Sequence, residues 1–428
     1  MPYALGKARS CVVVFLCAMV VSSAWGFDPA GGDWGKDDAR HIRVLTYNVK
    51  DGIGIGVDTT PATPTTYGSQ YDYLGRICAA MDPDVICLQE VDPSADLGDT
   101  EDVVQGWADT YFGAGVLGVY VSTMTDGYNR NVILSRYPFA DLNGDVEATA
   151  AGVMVFTGPG GLPPGFTGGG IRGWAQAEID LPDEVYKGDL FVGNSHMKSG
   201  SSSSDKADRL AAAQDIAWWI NEALNDAPPP PYSEPPVPLD EYTPVVLCGD
   251  FNEDEDYNSR YGPVAWLAGW TEDPGDGTDR EDSEMHIDTA VEPFSLARRT
   301  FRGESWKLDY VLVQDSIATV AVEFIFESDD AESHGVLPPE LQGILQPSVA
   351  SSFASDHYPV IVDLELAVIV PGDFNDDGSV DVVDYSLFSA CLFGPGGGAA
   401  GDCAAKDLDG DGDVDLGDFA LFQQFFGL

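Results

Sequence analysis

A chain of 428 residues, 44% of them hydrophobic, is long enough for one large domain with a full core plus a small appendage, and it excludes a disordered protein. Its formal net charge of −50, from 71 acidic and 21 basic side chains, argues against broad, counterion-releasing binding to nucleic acid. A site that neutralises its substrate locally with a divalent cation can still act on a polyanion, so the charge narrows the partner classes without removing that one.

At the N-terminus Lys7 and Arg9 precede an apolar run over 11–21, and Ser22, Ser23, Ala24 and Gly26 follow. This is the layout of a secretory signal peptide over residues 1–26, cleaved after Ala24 or Gly26. The run is shorter than the roughly 18 residues a membrane anchor needs, and no later stretch reaches that length. A secreted, soluble protein without a transmembrane segment is expected. Cys11 and Cys17 leave with the signal peptide. An exported chain meets oxidising conditions, so Cys391 and Cys403 are expected to form a disulfide. Cys78, Cys87 and Cys248 lie in apolar segments and read as buried thiols, with one bridged pair left open.

After a short segment over 27–40, apolar β-branched runs recur: IRVLTYNV (42–49), DVICLQEV (84–91), NVILS (131–135), DLFVGNSH (189–196), PVVLCGD (244–250), LDYVLV (308–313) and PVIVDLEL (359–366). They read as strands. Between two of them, Leu210, Ala213, Ala217, Ile220 and Leu224 recur at alternating spacings of three and four. That period predicts an amphipathic helix over 205–225, with Ser204 as N-cap and Trp218 and Trp219 as packing residues. The loops over 59–70, 158–170, 227–238 and 271–284 carry no apolar period and read as binding rims or insertions. Near residue 370 the chain turns glycine-rich and acidic: residues 372–428 hold 12 acidic side chains against one lysine. The large domain is therefore placed at 41–367, a linker at 368–371 and a C-terminal module at 372–428.

Several strands end in polar residues of the same few types. Asn48 ends the first, Glu90 lies near the end of the second, His196 closes NSH, and Asp250 and Asn252 lie in GDFNE. Asp309 opens a strand, and Asp356 with His357 precedes the last. One such residue is usually a turn former; the whole set at strand ends is where a packed scaffold presents catalytic groups. Phosphoester hydrolysis needs a divalent cation, oriented donors and proton-transfer groups. Carboxylate and amide oxygens suit magnesium or manganese, and histidine suits proton transfer near neutrality. Gln89, Ser135, Arg136 and Tyr47 read as fold-bracing residues, and Lys307 as either a phosphate contact or a solvated lysine.

The ordered segments LTYNV, DVICLQEV, VILSRYP, NSHMKSG, GDFNE, KLDYVLV and SDHYPV closely resemble the endonuclease/exonuclease/phosphatase superfamily and span the whole large domain. The resemblance implies an α/β (α+β) four-layer sandwich of two β-sheets flanked by helices, with the site at one end of the sheets. It implies Glu90, Asn48 and Asp356 as ligands of Mg²⁺ or Mn²⁺. Asp250 would hold the attacking water or a second metal, and Asn252 the scissile phosphate. His196 would serve the phosphate side, His357 would act as general base or phosphate clamp, and Asp309 would orient a histidine. The acid and base assignments stay open.

In the C-terminal module, DFNDDGSVDVVD (373–384) and DLDGDGDVDLGD (407–418) carry oxygens at loop positions 1, 3, 5 and 12 and glycine at 6. This is the calcium-loop layout. Asp373, Asn375, Asp377 and Asp384 would hold one Ca²⁺, and Asp407, Asp409, Asp411 and Asp418 a second. Each loop precedes an apolar helical run and neither follows an incoming helix. The module therefore resembles a duplicated type I dockerin, a small all-α domain, which implies a cohesin-type partner. The reading as a whole is a secreted, monomeric, metal-dependent phosphoester hydrolase, most simply a phosphodiesterase. A phosphomonoesterase, a sphingomyelinase-like enzyme and a non-catalytic calcium-dependent binding protein are the alternatives.

Overall fold

The computed structural model describes residues 27–91, 97–122, 129–140, 174–218, 220, 239, 241–258, 262–269, 285–375 and 377–427. The signal-peptide reading, Trp219, Leu224 and most of the long loops lie outside these, as does the side chain of Trp218. The strands in chain order are β1 (Ile42–Asn48), β2 (Val85–Val91), β3 (Gly118–Val121), β4 (Arg130–Ser135), β5 (Trp174–Ile179), β6 (Leu190–His196), β7 (Val245–Asp250), β8 (His286–Ile287), β9 (Asp309–Val313), β10 (Thr319–Ile325) and β11 (Val360–Glu365). They form a six-stranded sheet ordered β10-β11-β1-β2-β4-β3 and a five-stranded sheet ordered β5-β6-β7-β9-β8. Both are mixed, with β1–β2 and β6–β7 the parallel pairs.

Side chains alternate between the faces of each strand. Ile42 and Val44 of β1, Val85 and Cys87 of β2, Val246 and Cys248 of β7 and Val311 and Val313 of β9 meet in one core between the sheets. The other face of the first sheet, with Leu45, Tyr47, Ile86 and Leu88, packs on helices α1 (Gln70–Met81) and α2 (Leu97–Phe112) through Leu74, Ile77, Val104 and Trp107. The other face of the second sheet, with Leu247 and Leu312, packs on α3 (Ser203–Trp218) through Ala212, Ala213 and Ile216. Helix, sheet, sheet and helix make four layers. Because both sheet faces are covered, the strands are nearly continuous apolar runs, which is what made them legible.

Short helices α4 (Glu255–Asn258), α5 (Pro263–Leu267), α6 (Ser328–Ser333) and α7 (Ala350–Ala354) fill connections. Helix α3 begins at Ser203, so Ser204 lies in its first turn rather than at the cap. Ser202 takes that role because its hydroxyl accepts from Asp205 N at 3.2 Å while Asp205 Oδ2 accepts from Ser202 N at 3.0 Å, the reciprocal pairing of a capping box. The 27–40 segment packs on the large domain: Trp34 is buried in the helix-side core and its carbonyl accepts from Arg43 Nη1 at 2.6 Å. The expected linker begins on the same domain, with Val368 bridging Tyr186 and Ile369 N donating to Val185 O at 2.8 Å. Cys78, Cys87 and Cys248 are buried free thiols, and Cys391 and Cys403 are disulfide-bonded. No described helix is long and apolar enough to cross a membrane.

In the C-terminal module each acidic loop leads into a helix, α8 (Val382–Ser389) or α9 (Leu416–Phe425). Phe388 and Phe422, equivalent in the two repeats, stack at 5.3 Å with Phe374 against both, giving the module a small aromatic core.

Candidate active site and calcium loops

Strand register carries the large-domain residues to one end of the sheets. His196 and Asp250 are partners in the parallel β6–β7 pair, and Asp250 and Asp309 are partners in the antiparallel β7–β9 pair. Asn48 and Gln89 are partners in the parallel β1–β2 pair, with Glu90 next in line. The register of β2 against β4 shifts between Leu88 and Val91, and Glu90 within that irregularity takes a left-handed φ of 56°. Such an irregularity re-aims a side chain at a sheet end. Val360 of β11 pairs with Thr46 of β1, which brings the preceding Asp356 and His357 to the same end. Gly249 is required by close approach: its φ is +148° and a Cβ there would lie 1.9 Å from Ser195 O.

Asp250 is the hub. Its Oδ2 accepts from Asn48 Nδ2 at 2.9 Å and lies 3.6 Å from His196 Nε2 and 3.7 Å from His357 Nε2. Its Oδ1 accepts from Asn252 N at 2.8 Å, and Asn252 Nδ2 donates to Met197 O at 3.1 Å. Glu90 Oε1 lies 3.4 Å from His196 Nε2. Behind His357, Nδ1 meets Asp309 Oδ2 at 2.7 Å, and the Thr300 hydroxyl accepts from Leu308 N and Asp309 N. Asn48, Glu90, His196, Asp250, Asn252, Asp309 and His357 thus form one connected group. Asp356 stands at its edge, where its carboxylate is held by Lys50 Nζ at 2.5 Å.

Burial pushes the Asp250 carboxyl up to about 7, with the His357 charge opposing and the Asp309 charge adding to the rise. Burial works against a charged His357, yet the neighbouring charges of Asp309 and Asp250 outweigh it and lift the imidazole to about 10. A divalent cation suits this donor set: Glu90, Asp250 and Asn48 offer hard oxygens, and donor atoms of Asp250, Asp309 and His357 lie within 4.8 Å of one another. A bound cation would favour the ionised carboxylates that burial alone disfavours.

Among the residues read as bracing, Gln89 ties the sheets together. Its Nε2 donates to Thr46 Oγ1 at 3.0 Å and to Asn194 Oδ1 at 2.7 Å, and Asn194 Nδ2 donates across to Leu88 O and Val132 O, each at 2.9 Å. The sign of Asn194 in the sequence is a polar residue within the buried run DLFVGNSH. Arg136 braces the β2 entry through Pro83 O, and Tyr47 is core. Lys307 is neither a phosphate contact nor solvated. It is buried in an ion pair with Asp288 and lies over the Tyr310 ring.

In the two acidic loops of the C-terminal module, Asp384 and Asp418 are fully buried and fix the loop fold. Asp384 Oδ1 accepts from Phe374 N at 2.7 Å, and Asp418 Oδ1 from Leu408 N at 2.6 Å. Gly378 N and Gly412 N each donate 2.9 Å bonds to Oδ2 of the first loop residue, Asp373 and Asp407, with φ of 84° and 94°. Asp381 and Asp415 cap the two helices, a role the spacing argument did not assign. Asp407, Asp409 and Asp418 present oxygens within 4.8 Å of one another, a donor set suited to calcium.

The sequence matches the Endonuclease/Exonuclease/phosphatase family over residues 45–357 and the Dockerin type I domain over 371–426. Similar solved structures include an endonuclease/exonuclease/phosphatase from Beutenbergia cavernae, at 20% identity and TM-score 0.44, covering 77% of this chain and 72% of that one. The human Nocturnin catalytic domain aligns at 12% identity and TM-score 0.42, over 76% and 94% of the two chains. The beta toxin of Staphylococcus aureus aligns at 12% identity and TM-score 0.40, over 75% and 99%. Among curated proteins there is no match.

Proposed function

Because the chain belongs to the endonuclease/exonuclease/phosphatase family and ends in a type I dockerin domain, we propose that it is a secreted, divalent-metal-dependent phosphoester hydrolase, a phosphodiesterase with nuclease-like chemistry. The observation that carries this reading is the pair of imidazole Nε2 atoms, 3.6 and 3.7 Å from one buried carboxylate oxygen of Asp250. A phosphoryl group seated beside the two imidazoles would be met by nitrogen from two sides, with Asp250 between them free to take a water's hydrogen bond.

Mg²⁺ or Mn²⁺, held by Glu90 and Asn48 with Asp250 adjacent, would supply Lewis-acid stabilisation of phosphoryl charge. The protein's own groups divide the remaining work. Asp250 accepts a hydrogen bond from an attacking water and can take its proton. Asp309 fixes the His357 ring by its bond to Nδ1 and favours the imidazolium, so Nε2 presents a proton or positive charge to the phosphate. His196 presents its Nε2 from the Glu90 side, 3.4 Å from Glu90 Oε1. Asn252, its backbone in the left-handed region and its amide anchored on Met197 O, keeps a donor for a phosphate oxygen.

The two loops of the dockerin each bind one Ca²⁺, and the module attaches the enzyme to a cohesin-type partner outside the cell. Two tests separate the readings. Plasmid DNA, RNA, sphingomyelin and inositol phosphates offered with Mg²⁺ distinguish a nucleic-acid phosphodiesterase from a phospholipid-directed enzyme and a phosphomonoesterase. Hydrolysis of none of them, alongside calcium-dependent capture of a protein partner, would favour the binding-protein alternative.

A further inference from the structure

The Lys50–Asp356 ion pair stands at the edge of the candidate metal ligands. Lys50 N donates to Asn48 Oδ1 at 3.0 Å, and the next amide, Asp51 N, donates to Glu90 O at 2.9 Å. From there the ammonium reaches Asp356 Oδ2 at 2.5 Å. Backbone contacts hold both partners in place. Gln70 Nε2 faces the carbonyls of Val49, Lys50 and Ala354 at 3.0, 3.0 and 2.9 Å, which ties the exit of β1 to the segment before Asp356. Ser355 Oγ donates to Asn48 O at 2.7 Å and accepts from His357 N at 3.1 Å, a second tie between the same segments. Lys50 and Asp51 both hold left-handed φ, 45° and 59°. Non-glycine residues stay in that region where surrounding contacts impose it, and such residues cluster at functional sites.

A carboxylate already paired with an ammonium offers little net charge to a second ion. A divalent cation arriving at Asp356 would have to displace Lys50 or share the oxygen with it against like-charge repulsion. Resting on the metal-dependent reading above, we propose that Lys50 is a tethered cation that occupies Asp356, so that this site holds one divalent ion, on Glu90 and Asn48 with Asp250 adjacent, and Asp356 is not among its ligands. Lys50 is then a positioning residue that supplies at Asp356 the positive charge a second metal would supply.

The test counts Mn²⁺ bound to the full chain by the paramagnetic resonance of free Mn²⁺, with Ca²⁺ kept saturating for the C-terminal loops. Wild type is compared with Lys50→Gln, Asp356→Asn, the double variant and Glu90→Gln, each checked by circular dichroism. Lys50 is half exposed, so its substitution spares the core. Lys50→Gln should bind one more Mn²⁺ than wild type, and adding Asp356→Asn should remove the gain. Asp356→Asn alone should leave the ion count unchanged and the tightest affinity within about threefold, since the ion is held on Glu90 and Asn48 and not on Asp356. Weakening by about tenfold or more in Asp356→Asn, the scale seen when metal-site partners are lost, would overturn the proposal. So would the absence of an extra ion in Lys50→Gln. Glu90→Gln binding as many ions as wild type with equal affinity would remove the metal-dependent reading itself, a failure distinct from the other two.

Discussion

The oxygen donors at the end of the sheets come from residues spread between Asn48 and His357, whereas each C-terminal loop draws its donors from twelve consecutive residues. In the large domain the donors are delivered by strands whose register is fixed by two apolar cores, and Asp250 and Asp309 are buried before any ion is considered. In the loops the last carboxylates, Asp384 and Asp418, are buried, as is Asp413, while Asp373, Asp377, Asp407, Asp409 and Asp411 cluster in partial or full exposure to solvent. A scaffold-built site keeps its shape without its ion, at the expense of perturbed proton affinities. A loop-built site depends on the ion to hold like charges together. The two acidic ends of one chain should therefore respond differently to the same chelator.

That difference gives the largest expected effect. Removing calcium should abolish the unfolding transition of residues 372–428 in the full chain and leave that of the large domain in place. Calorimetry with Ca²⁺ and with EDTA checks it, and two unchanged transitions would erase the contrast. Next in size, His196→Ala and His357→Ala should each lower kcat by about 10² to 10⁴-fold, roughly 3 to 5 kcal/mol of barrier, with folding and metal affinity retained. His41, His286 and His334 lie outside the connected group and serve as controls: His286 is paired with Glu323, and His334 stacks on Phe294. A control variant that lost activity while the two site variants kept it would move the active site elsewhere.

A smaller effect tests whether the scaffold itself holds the site. Asn194→Ala removes the amide linking Leu88 and Val132 to β6, and it leaves Gln89 without one acceptor. Unpaired buried groups of this kind cost about 1 to 3 kcal/mol. The loosened sheets should also lower kcat by up to about 10²-fold, more than they raise KM. A loss of stability with unchanged kcat would confine Asn194 to the core.

A further effect is a pH dependence of the metal-free protein. His357 is raised in the fold to about 10, above the roughly 6.5 of an unfolded histidine. Its stabilisation is complete below the unfolded value and is lost as pH climbs through about 10. Asp250, raised to about 7, exerts its own effect below that pH, so the interval from 7 to 10 isolates the histidine. The Tm advantage of wild type over His357→Ala should shrink across this interval in EDTA. A constant gap would contradict the charge coupling.

Much of this was legible in the sequence because it rests on local pattern. Covered strands read as apolar runs, strand-end motifs named the residues that converge, and the glycine and aspartate spacing outlined both acidic loops. Other features depended on long-range partners. Helix α1 carries Tyr71, Leu74, Ile77 and Met81 at spacings of three, three and four, a readable apolar stripe that the expected elements omit. β3 is short and β10 only half-buried, so neither presented a long apolar run. Nothing adjacent in sequence signals that Lys50, two residues after Asn48, lands on Asp356, 306 positions away. The Gln70 and Asn194 ties are of the same kind. Their chemistry is ordinary, and their significance comes from what the fold brings opposite them.

The central claim, that the strand-end group is a metal-dependent phosphoester-hydrolysing centre, is tested most directly by one rate comparison. Turnover of a phosphoester that the full chain hydrolyses is measured with Mg²⁺ and in excess EDTA, for wild type and for Glu90→Gln of verified fold. The account predicts that activity disappears on chelation, returns with added Mg²⁺, and falls at least about 10²-fold in the variant. Undiminished wild-type turnover in EDTA, or equal turnover by Glu90→Gln, would contradict it.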